Sequence, residues 1–151
     1  LEVQVQEERE EEDRSQTALY EGSDHQNRRL ILMTKIVFYR SGGVFYGFEE
    51  QGHTGYDEAG QDVLCAALSS MTMLIINAVE VAYACDIEYD IDEKTTDIRV
   101  RCRSALPQFE DDERKRYAVS GLFLAYYYQL NDLVEDYYDN LDVSVKDIDY
   151  V

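Results

Sequence analysis

Residues 62–83 read DVLCAALSSMTMLIINAVEVAY, and this stretch decides the fold. Apolar residues occupy almost every side of a 3.6-residue helical period here, so the segment predicts a helix that is buried on several sides. We expect this helix to run from Val63 to about Tyr83 and to pack against a sheet and a second helix. Asp62 is placed to cap it, because its carboxylate can accept the unpaired backbone N–H groups of the first turn.

The residues before this helix predict a β-hairpin and a loop. Ile31 to Tyr39 is rich in β-branched and aromatic residues, which is typical of a strand. Ser41-Gly42-Gly43 supplies a tight turn, since glycine accepts the positive φ that hairpin turns require. Val44 to Glu50 is then the returning strand. Gln51 to Gln61 holds three glycines in eleven residues and predicts a loop.

The residues after the helix complete a mixed set of elements. Alternating apolar and acidic residues predict a half-buried strand at Ile87–Ile91, and a second alternation predicts another at Thr96–Arg103. After Pro107, a second helix is expected from about Asp112 to Asp139, and a last strand from Leu141 to Ile148. The order β-β-α-β-β-α-β, with a mostly antiparallel sheet and two long helices, predicts an α+β fold with the architecture of a two-layer sandwich.

Composition and charge limit the classes of function. The chain has 151 residues, 45% of them hydrophobic, which suits one domain at residues 30–151. Residues 1–29 carry nine acidic and four basic residues and are expected to form a disordered tail. The net charge of −18 argues against direct nucleic-acid binding and suits a basic protein partner. No uncharged apolar run reaches about 18 residues and no signal-peptide pattern begins the sequence, so we expect no membrane span.

The cysteine and histidine content argues against disulfides and metals. The chain has three cysteines: Cys65, Cys85 and Cys102. An odd number without a C-x-x-C pair, together with only two histidines, disfavours a disulfide scaffold and a zinc site and suits a reducing cytoplasm. Three ligands in one loop, His53, Asp57 and Glu58, would be a poorly preorganised metal site. We therefore predict no metal and no cofactor.

Cys65 and His53 are the candidate catalytic pair. Taken alone, Cys65 is equally a core cysteine on an apolar helix, as we expect for Cys85 and Cys102. If Asp62 caps the helix, however, Cys65 lies in the first turn, where unpaired N–H groups and the helix dipole favour a thiolate and can hold an oxyanion. His53 precedes it by twelve residues in a glycine-rich loop. It is either an exposed loop histidine or the general base of a cysteine protease.

Two further polar residues share the helical face of Cys65. Asp62 lies three residues before Cys65 and Ser69 lies four residues after it. Asp62 either orients His53 or only caps the helix, since its negative charge alone would oppose thiolate formation. Ser69 either bonds to the substrate backbone or packs the helix.

The glycine-rich loop is a candidate lid. Thr54 to Gln61 lies between His53 and Cys65, with Gly55 and Gly60 as its hinges. An ordinary flexible surface connection has the same composition. If the loop is a lid, its closure would align the histidine with the cysteine and exclude water.

The second predicted helix is rich in aromatic residues. They are Tyr117, Phe123, Tyr126, Tyr127, Tyr128, Tyr137 and Tyr138. One helix packed on one sheet does not readily bury this much aromatic surface, and surfaces of this kind often form interfaces. We expect a twofold homodimer.

The sequence resembles the bacterial ribosomal-processing cysteine protease family, called Prp. Gly52-His53, followed by a glycine-rich loop and then by Asp62-Val63-Leu64-Cys65-Ala66-Ala67-Leu68-Ser69, is similar to the family's G-H and D-h-x-C-A-x-x-S motifs (h is hydrophobic). Asn77-Ala78 also matches, whereas Gln51 and Thr54 depart from the family pattern. The resemblance implies that His53 is the base, Cys65 the nucleophile, and Asp62 and Ser69 supporting residues.

The resemblance also implies a substrate and a quaternary structure. Members of this family are homodimers that remove the N-terminal extension of ribosomal protein twenty-seven of the large subunit. Two alternatives remain open from the residues alone. One is another cysteine-dependent acyl transfer, and the other is a non-enzymatic acidic module that binds a ribosomal protein during ribosome assembly.

Overall fold

The computed structural model describes residues 33–52, 59–95 and 97–151. Its strands are β1 (Thr34–Ser41), β2 (Val44–Gln51), β3 (Glu88–Ile91), β4 (Ile98–Arg101) and β5 (Leu141–Asp147). Its long helices are α1 (Ala59–Asn77) and α2 (Glu113–Tyr137). A π-helical segment, Ala78–Ala82, continues α1, and a short 3₁₀ helix, Arg103–Ala105, follows β4. The predicted order of elements is confirmed. The predicted tail at residues 1–29 lies outside the described residues.

The five strands form one mixed sheet in the order β3-β4-β2-β1-β5. β1 and β2 are the predicted hairpin, with Gly42 and Gly43 in the turn at φ 55° and 80°. β3 pairs with β4 and β4 with β2, both antiparallel, whereas β5 lies parallel to β1. Three of the four strand pairs are therefore antiparallel, and with the two long helices this confirms the predicted α+β fold.

The core lies between one face of the sheet and the helices. Phe38 and Phe48 are fully buried and pack edge-on against Tyr126 of α2, with ring centroids 5.7 and 5.0 Å away. Helix α1 contributes an inward stripe of four apolar residues, which Val79 of the π-helical segment continues: Leu64, Leu68, Ile75 and Ile76. The many-sided burial predicted for α1 is only partly present, because Met73, Leu74 and Val81 are exposed.

The opposite face of the sheet is not purely polar. Tyr39 and Tyr46 stack there with centroids 5.9 Å apart, and Arg101 lies 4.6 Å from the ring of Tyr150. β3 is an edge strand of the sheet, and all four of its side chains are exposed. The expected half-burial of Ile87–Ile91 is therefore wrong for this strand. Among the described elements β3 packs mainly against β4, so neither of its faces is covered by a helix, and apolar alternation alone does not reveal this.

Helix α1 has the length and hydropathy of a membrane-spanning helix. The segment Val63–Ala82 has a mean hydropathy of 1.7, and 33% of it is buried inside the fold. A single helix of this kind is weak evidence for a membrane, because the core helix of a water-soluble protein has the same properties. The stripe of α1 that packs into the core accounts for much of the hydropathy.

Candidate active site

Cys65 lies on the flank of the buried stripe of α1. Its neighbour Leu64 is 1% exposed and Leu68 is fully buried, whereas Cys65 itself is only partly buried. The inward side chains thus fix the rotation of the helix and place the thiol where the core meets the surface. A thiol in this position is accessible to a reactant, which a core cysteine is not.

Helix α1 begins four residues earlier than the sequence predicts, at Ala59 instead of Val63. Gly60 is thus its second residue and Asp62 its fourth. The prediction that Asp62 is the cap is therefore wrong, as is the prediction that Gly60 is a loop hinge. Alanine favours the helix, and glycine is tolerated in a first turn, where backbone N–H groups lack intrahelical partners in any case.

The earlier start also moves Cys65 away from the helix end. Cys65 is the seventh helical residue, and only the first four N–H groups of a helix lack internal partners. The predicted use of first-turn amides beside the thiol as an oxyanion hole is therefore wrong. The effect of the dipole on the thiol is also weaker than expected, because it falls off beyond the first turn.

Ser69 lies one helical turn after Cys65, and its side chain is exposed. Residues four apart on a helix are neighbours on its surface. Ser69 therefore lies on the face of α1 that carries the thiol, at a place a substrate can reach. The packing role that we considered for it does not fit this exposure.

The predicted base, His53, lies outside the described residues, but the residue before it does not. Gly52 has φ +91°, and an ideal Cβ there would lie 2.5 Å from the carbonyl oxygen of Met33. The N–H of Gly52 donates to Oδ1 of Asp97 at 3.3 Å. Only glycine fits this conformation and this contact. The chain leaving β2 is thus anchored up to the residue that precedes His53.

The other parts of the predicted loop are partly untested. Gly55 and residues 53–58 lie outside the described residues, and residues 59–61 belong to α1. The lid therefore stays a prediction, and it now concerns only residues 54–58, because residues 59–61 are helical. The side chain of Asp62 is also outside the description, so its role in orienting His53 stays a prediction.

The two remaining cysteines are core residues, as predicted. Cys85 is 5% exposed and Cys102 is fully buried. The thiol of Cys102 donates to the carbonyl oxygen of Asp86 at 3.1 Å, and burial raises its pKa. A buried thiol held in its protonated form is a poor nucleophile. None of the three cysteines, all within the described chain, forms a disulfide.

A buried polar cluster was missed from the sequence. Glu50, near the end of β2, is fully buried, and its Oε1 accepts hydrogen bonds from Thr72 Oγ1 at 2.8 Å and from the Tyr126 hydroxyl at 2.6 Å. The sequence did carry a signal, because Glu50 follows Phe48 at the two-residue period of the inward face. Acidic residues are so rarely buried that this signal is easily discounted.

A groove of about 390 Å³ lies elsewhere, on strands β3 and β4. Glu88, Asp90, Arg99 and Arg101 contribute to its lining. The described lining of this groove contains no cysteine and no residue of α1, so the groove is separate from the thiol of Cys65. In the described parts of the chain, no group of three or more His, Cys, Asp or Glu side chains is arranged to hold a metal ion.

Comparison with solved structures supports the fold. SMU.848 from Streptococcus mutans is 28% identical, with a TM-score of 0.64 over 77% of this chain and 96% of that one. The ribosomal processing protease Prp from S. aureus, solved with a substrate peptide, is 16% identical, with a TM-score of 0.62 over 76% of this chain and all of that one. A second structure of Prp from S. aureus, with a covalently linked product peptide, has a TM-score of 0.60 at the same identity and coverage.

Comparison with sequences identifies the family. No curated protein matches the chain. The family model for cysteine protease Prp matches residues 33–142, which is most of the chain and includes β1 to the start of β5. Cys65, the one partly exposed cysteine, lies within that match. This chain therefore belongs to the Prp family of cysteine proteases.

Proposed function

We propose that this protease removes the N-terminal extension of ribosomal protein twenty-seven of the large subunit, in the cytoplasm. The family match over residues 33–142 carries the proposal. The structurally similar S. aureus protein is described as a ribosomal processing protease and was solved with a substrate peptide. A net charge of −18 would speed encounter with a basic ribosomal protein and disfavours direct contact with RNA.

In this proposal Cys65 is the nucleophile. Its partial exposure on the flank of α1 supports the assignment, as does the deep burial of Cys85 and Cys102. The thiolate attacks the scissile carbonyl, and a thioester to Cys65 forms as the peptide amine leaves. Ser69 bonds to the backbone of the bound peptide in this proposal, and its exposure one turn further along the same helix supports that role.

His53 is the general base in this proposal. It takes the thiol proton, gives a proton to the leaving amine, and then activates the water that hydrolyses the thioester. The anchoring of Gly52 supports this role, because a base must be held within hydrogen-bonding reach of its nucleophile. Asp62 assists by pairing with the imidazolium that forms.

We further propose that the protein is a homodimer. Helix α2 buries Phe123 and Tyr126 but leaves Tyr117 82% and Tyr128 61% exposed, and Tyr138 just beyond it is 69% exposed. Exposed aromatic residues concentrated on one element favour an interface between copies.

Incubation with a peptide that spans the N-terminal extension, read by mass spectrometry, tests the proposed function. The full chain should make a single cut in the peptide. Cys65→Ala should abolish the cut, and His53→Ala should slow it by at least about a hundredfold, in line with the contribution of a general base. Binding of the intact ribosomal protein without any cut would instead support the non-catalytic acidic module.

A further inference from the structure

Glu50 is a carboxyl group buried in an apolar core. It is fully buried, Thr72 is 1% exposed and Tyr126 is 4% exposed. Oε1 of Glu50 accepts a hydrogen bond from the Thr72 hydroxyl at 2.8 Å and another from the Tyr126 hydroxyl at 2.6 Å. Burial, together with the nearby Glu50 carboxyl, raises the pKa of Tyr126, so its phenol remains a donor at neutral pH. Hydrogen bonds of this kind offset the cost of removing a carboxyl group from water.

These three residues come from three different elements. Glu50 belongs to β2, Thr72 to α1 and Tyr126 to α2. A single oxygen atom therefore links the strand that leads toward His53 with both helices. These hydrogen bonds constrain the relative positions of the three elements more closely than apolar contacts do, because a hydrogen bond constrains both distance and direction.

Each end of this link lies close along the chain to one of the proposed catalytic groups. Thr72 follows Cys65 by seven residues, and seven residues are almost two helical turns, so both lie on one side of α1 about 10 Å apart along its axis. Glu50 precedes Gly52 by two residues, and Gly52 is held by Asp97 and by its contact with Met33. A shift at Glu50 would move the two segments relative to each other.

A buried polar cluster can have a role besides stability. Buried polar groups can often be replaced together by apolar residues of similar size with no loss of stability, and sometimes with a gain. What apolar replacements would lose is the fixed direction of the hydrogen bonds. Such replacements would therefore remove a constraint on the placement of β2, α1 and α2 even where they keep the stability.

We propose that Glu50 is a positioning residue of this protease: through Thr72 and Tyr126 it sets the position of the end of β2 relative to Cys65. This inference rests on the proposed roles of Cys65 and His53. Glu50 is buried, and it acts on the reaction through the backbone that leads to the base. Its loss should therefore weaken turnover more than substrate binding.

The triple variant E50M/T72V/Y126F tests the proposal. It removes the carboxyl group and both of its hydroxyl donors, so neither hydroxyl is left buried and unpaired. We expect a melting temperature at or above that of the wild type, a kcat about 10- to 100-fold lower, and a KM within about twofold, as for a displaced catalytic group. Glu49→Gln is the matched control, because Glu49 precedes Glu50 on the same strand and bonds to Tyr39 and Gln51 instead. This control should retain the wild-type kcat.

Alkylation of Cys65 by iodoacetamide gives a readout that needs no substrate. Loss of the correct approach of His53 should lower the alkylation rate of the triple variant at pH 7 toward that of His53→Ala. Wild-type kcat and alkylation rate in the triple variant would overturn the proposal, as would a loss of activity that only follows the unfolded fraction. If the triple variant does not fold, Tyr126→Phe and Glu50→Gln decide by the same readouts. If the wild type leaves the peptide uncut, the proposed substrate is wrong, and the alkylation comparison still tests Glu50.

Discussion

The backbones of Gly52 and Met33 touch at the exit of β2, where an ideal Cβ on Gly52 would lie 2.5 Å from the Met33 carbonyl oxygen. The contact holds the chain immediately before His53. Gly52→Ala should lower the free energy of unfolding by about 1–3 kcal/mol, because the new methyl group meets backbone in a left-handed conformation.

Gly121 provides the control for this substitution. It lies within α2, and a Cβ there would meet nothing within 4 Å. Gly121→Ala should therefore raise the free energy of unfolding by about 0.5–1 kcal/mol. Urea denaturation of both variants checks the pair, and equal effects would show that the contact at Gly52 is not constraining.

Cys65 should be the first thiol to react in the native protein. It is partly exposed, whereas Cys85 and Cys102 are buried and bond to carbonyl oxygens. Labelling with iodoacetamide followed by peptide mapping should find Cys65 modified well before the other two. Cys65→Ala should remove the fast phase and leave the circular dichroism spectrum unchanged. Earlier labelling of Cys102 would contradict the burial that we describe.

Asp112 should stabilise α2 in a pH-dependent manner. Its carboxylate caps the helix by accepting the N–H of Arg114 at 2.9 Å, and this bond holds the pKa of Asp112 below its ordinary value of 3.8. A depressed acid pKa gives stability that is present above 3.8 and is lost as the pH falls through the lower folded-state value.

Thermal melts of Asp112→Ala at several pH values check this role. The variant should melt below the wild type at pH 7, and the difference should shrink steadily as the pH falls below 3.8. Asp111→Ala, at the exposed neighbouring position, should melt like the wild type at each of these pH values. A difference for Asp112→Ala that persists in strong acid would rule out the carboxylate cap.

Tyr39 and Tyr150 should resist alkaline titration. Burial and the neighbouring carboxylates raise the pKa of Tyr39 to about 12, through Glu49, and that of Tyr150 to about 12, through Glu88. In the unfolded chain these phenols ionise near the ordinary value of 10.0, so the stability they provide is present below pH 10 and is lost between about pH 10 and 12.

Ultraviolet absorbance during an alkaline titration measures this effect. The wild type should show a fraction of its tyrosines ionising only near pH 12, and Tyr150→Phe should remove part of that fraction. Tyr117→Phe is the control, because Tyr117 is 82% exposed. Ionisation of every tyrosine near pH 10 in the folded protein would contradict the packing at Tyr39 and Tyr150.

The proposed dimer should depend on the exposed aromatic residues of α2. Light scattering at micromolar concentration should give twice the mass of one chain. Tyr128→Ser and Tyr117→Ser together should shift the protein toward monomer, since both side chains are exposed on α2. Tyr89→Ser removes an exposed tyrosine from β3 and should leave the dimer intact. A monomeric wild type would refute the dimer without affecting the role of Cys65.

The sequence was sufficient to predict the strands and helices and to distinguish the two core cysteines from Cys65. Apolar periodicity indicated the order of strands and helices, and the usual burial of cysteine residues indicated that Cys85 and Cys102 are core residues. The start of α1 could not be predicted in this way, because Ala59 and Gly60 occur in a glycine-rich stretch that is typical of a loop. Helix boundaries depend on a few weak local terms and are the least predictable part of a pattern.

The sequence by itself determined that a hairpin, an apolar helix bearing Cys65 and a second long helix would form an α+β fold. Only the tertiary structure decided the surroundings of each element. β5 lies parallel beside β1, β3 is an exposed edge, and the carboxyl group of Glu50 lies in the core between Thr72 and Tyr126. The physical reason is that propensity and periodicity act within a few residues. Burial of a carboxyl group depends instead on hydroxyl donors that the fold brings from positions 22 and 76 residues away.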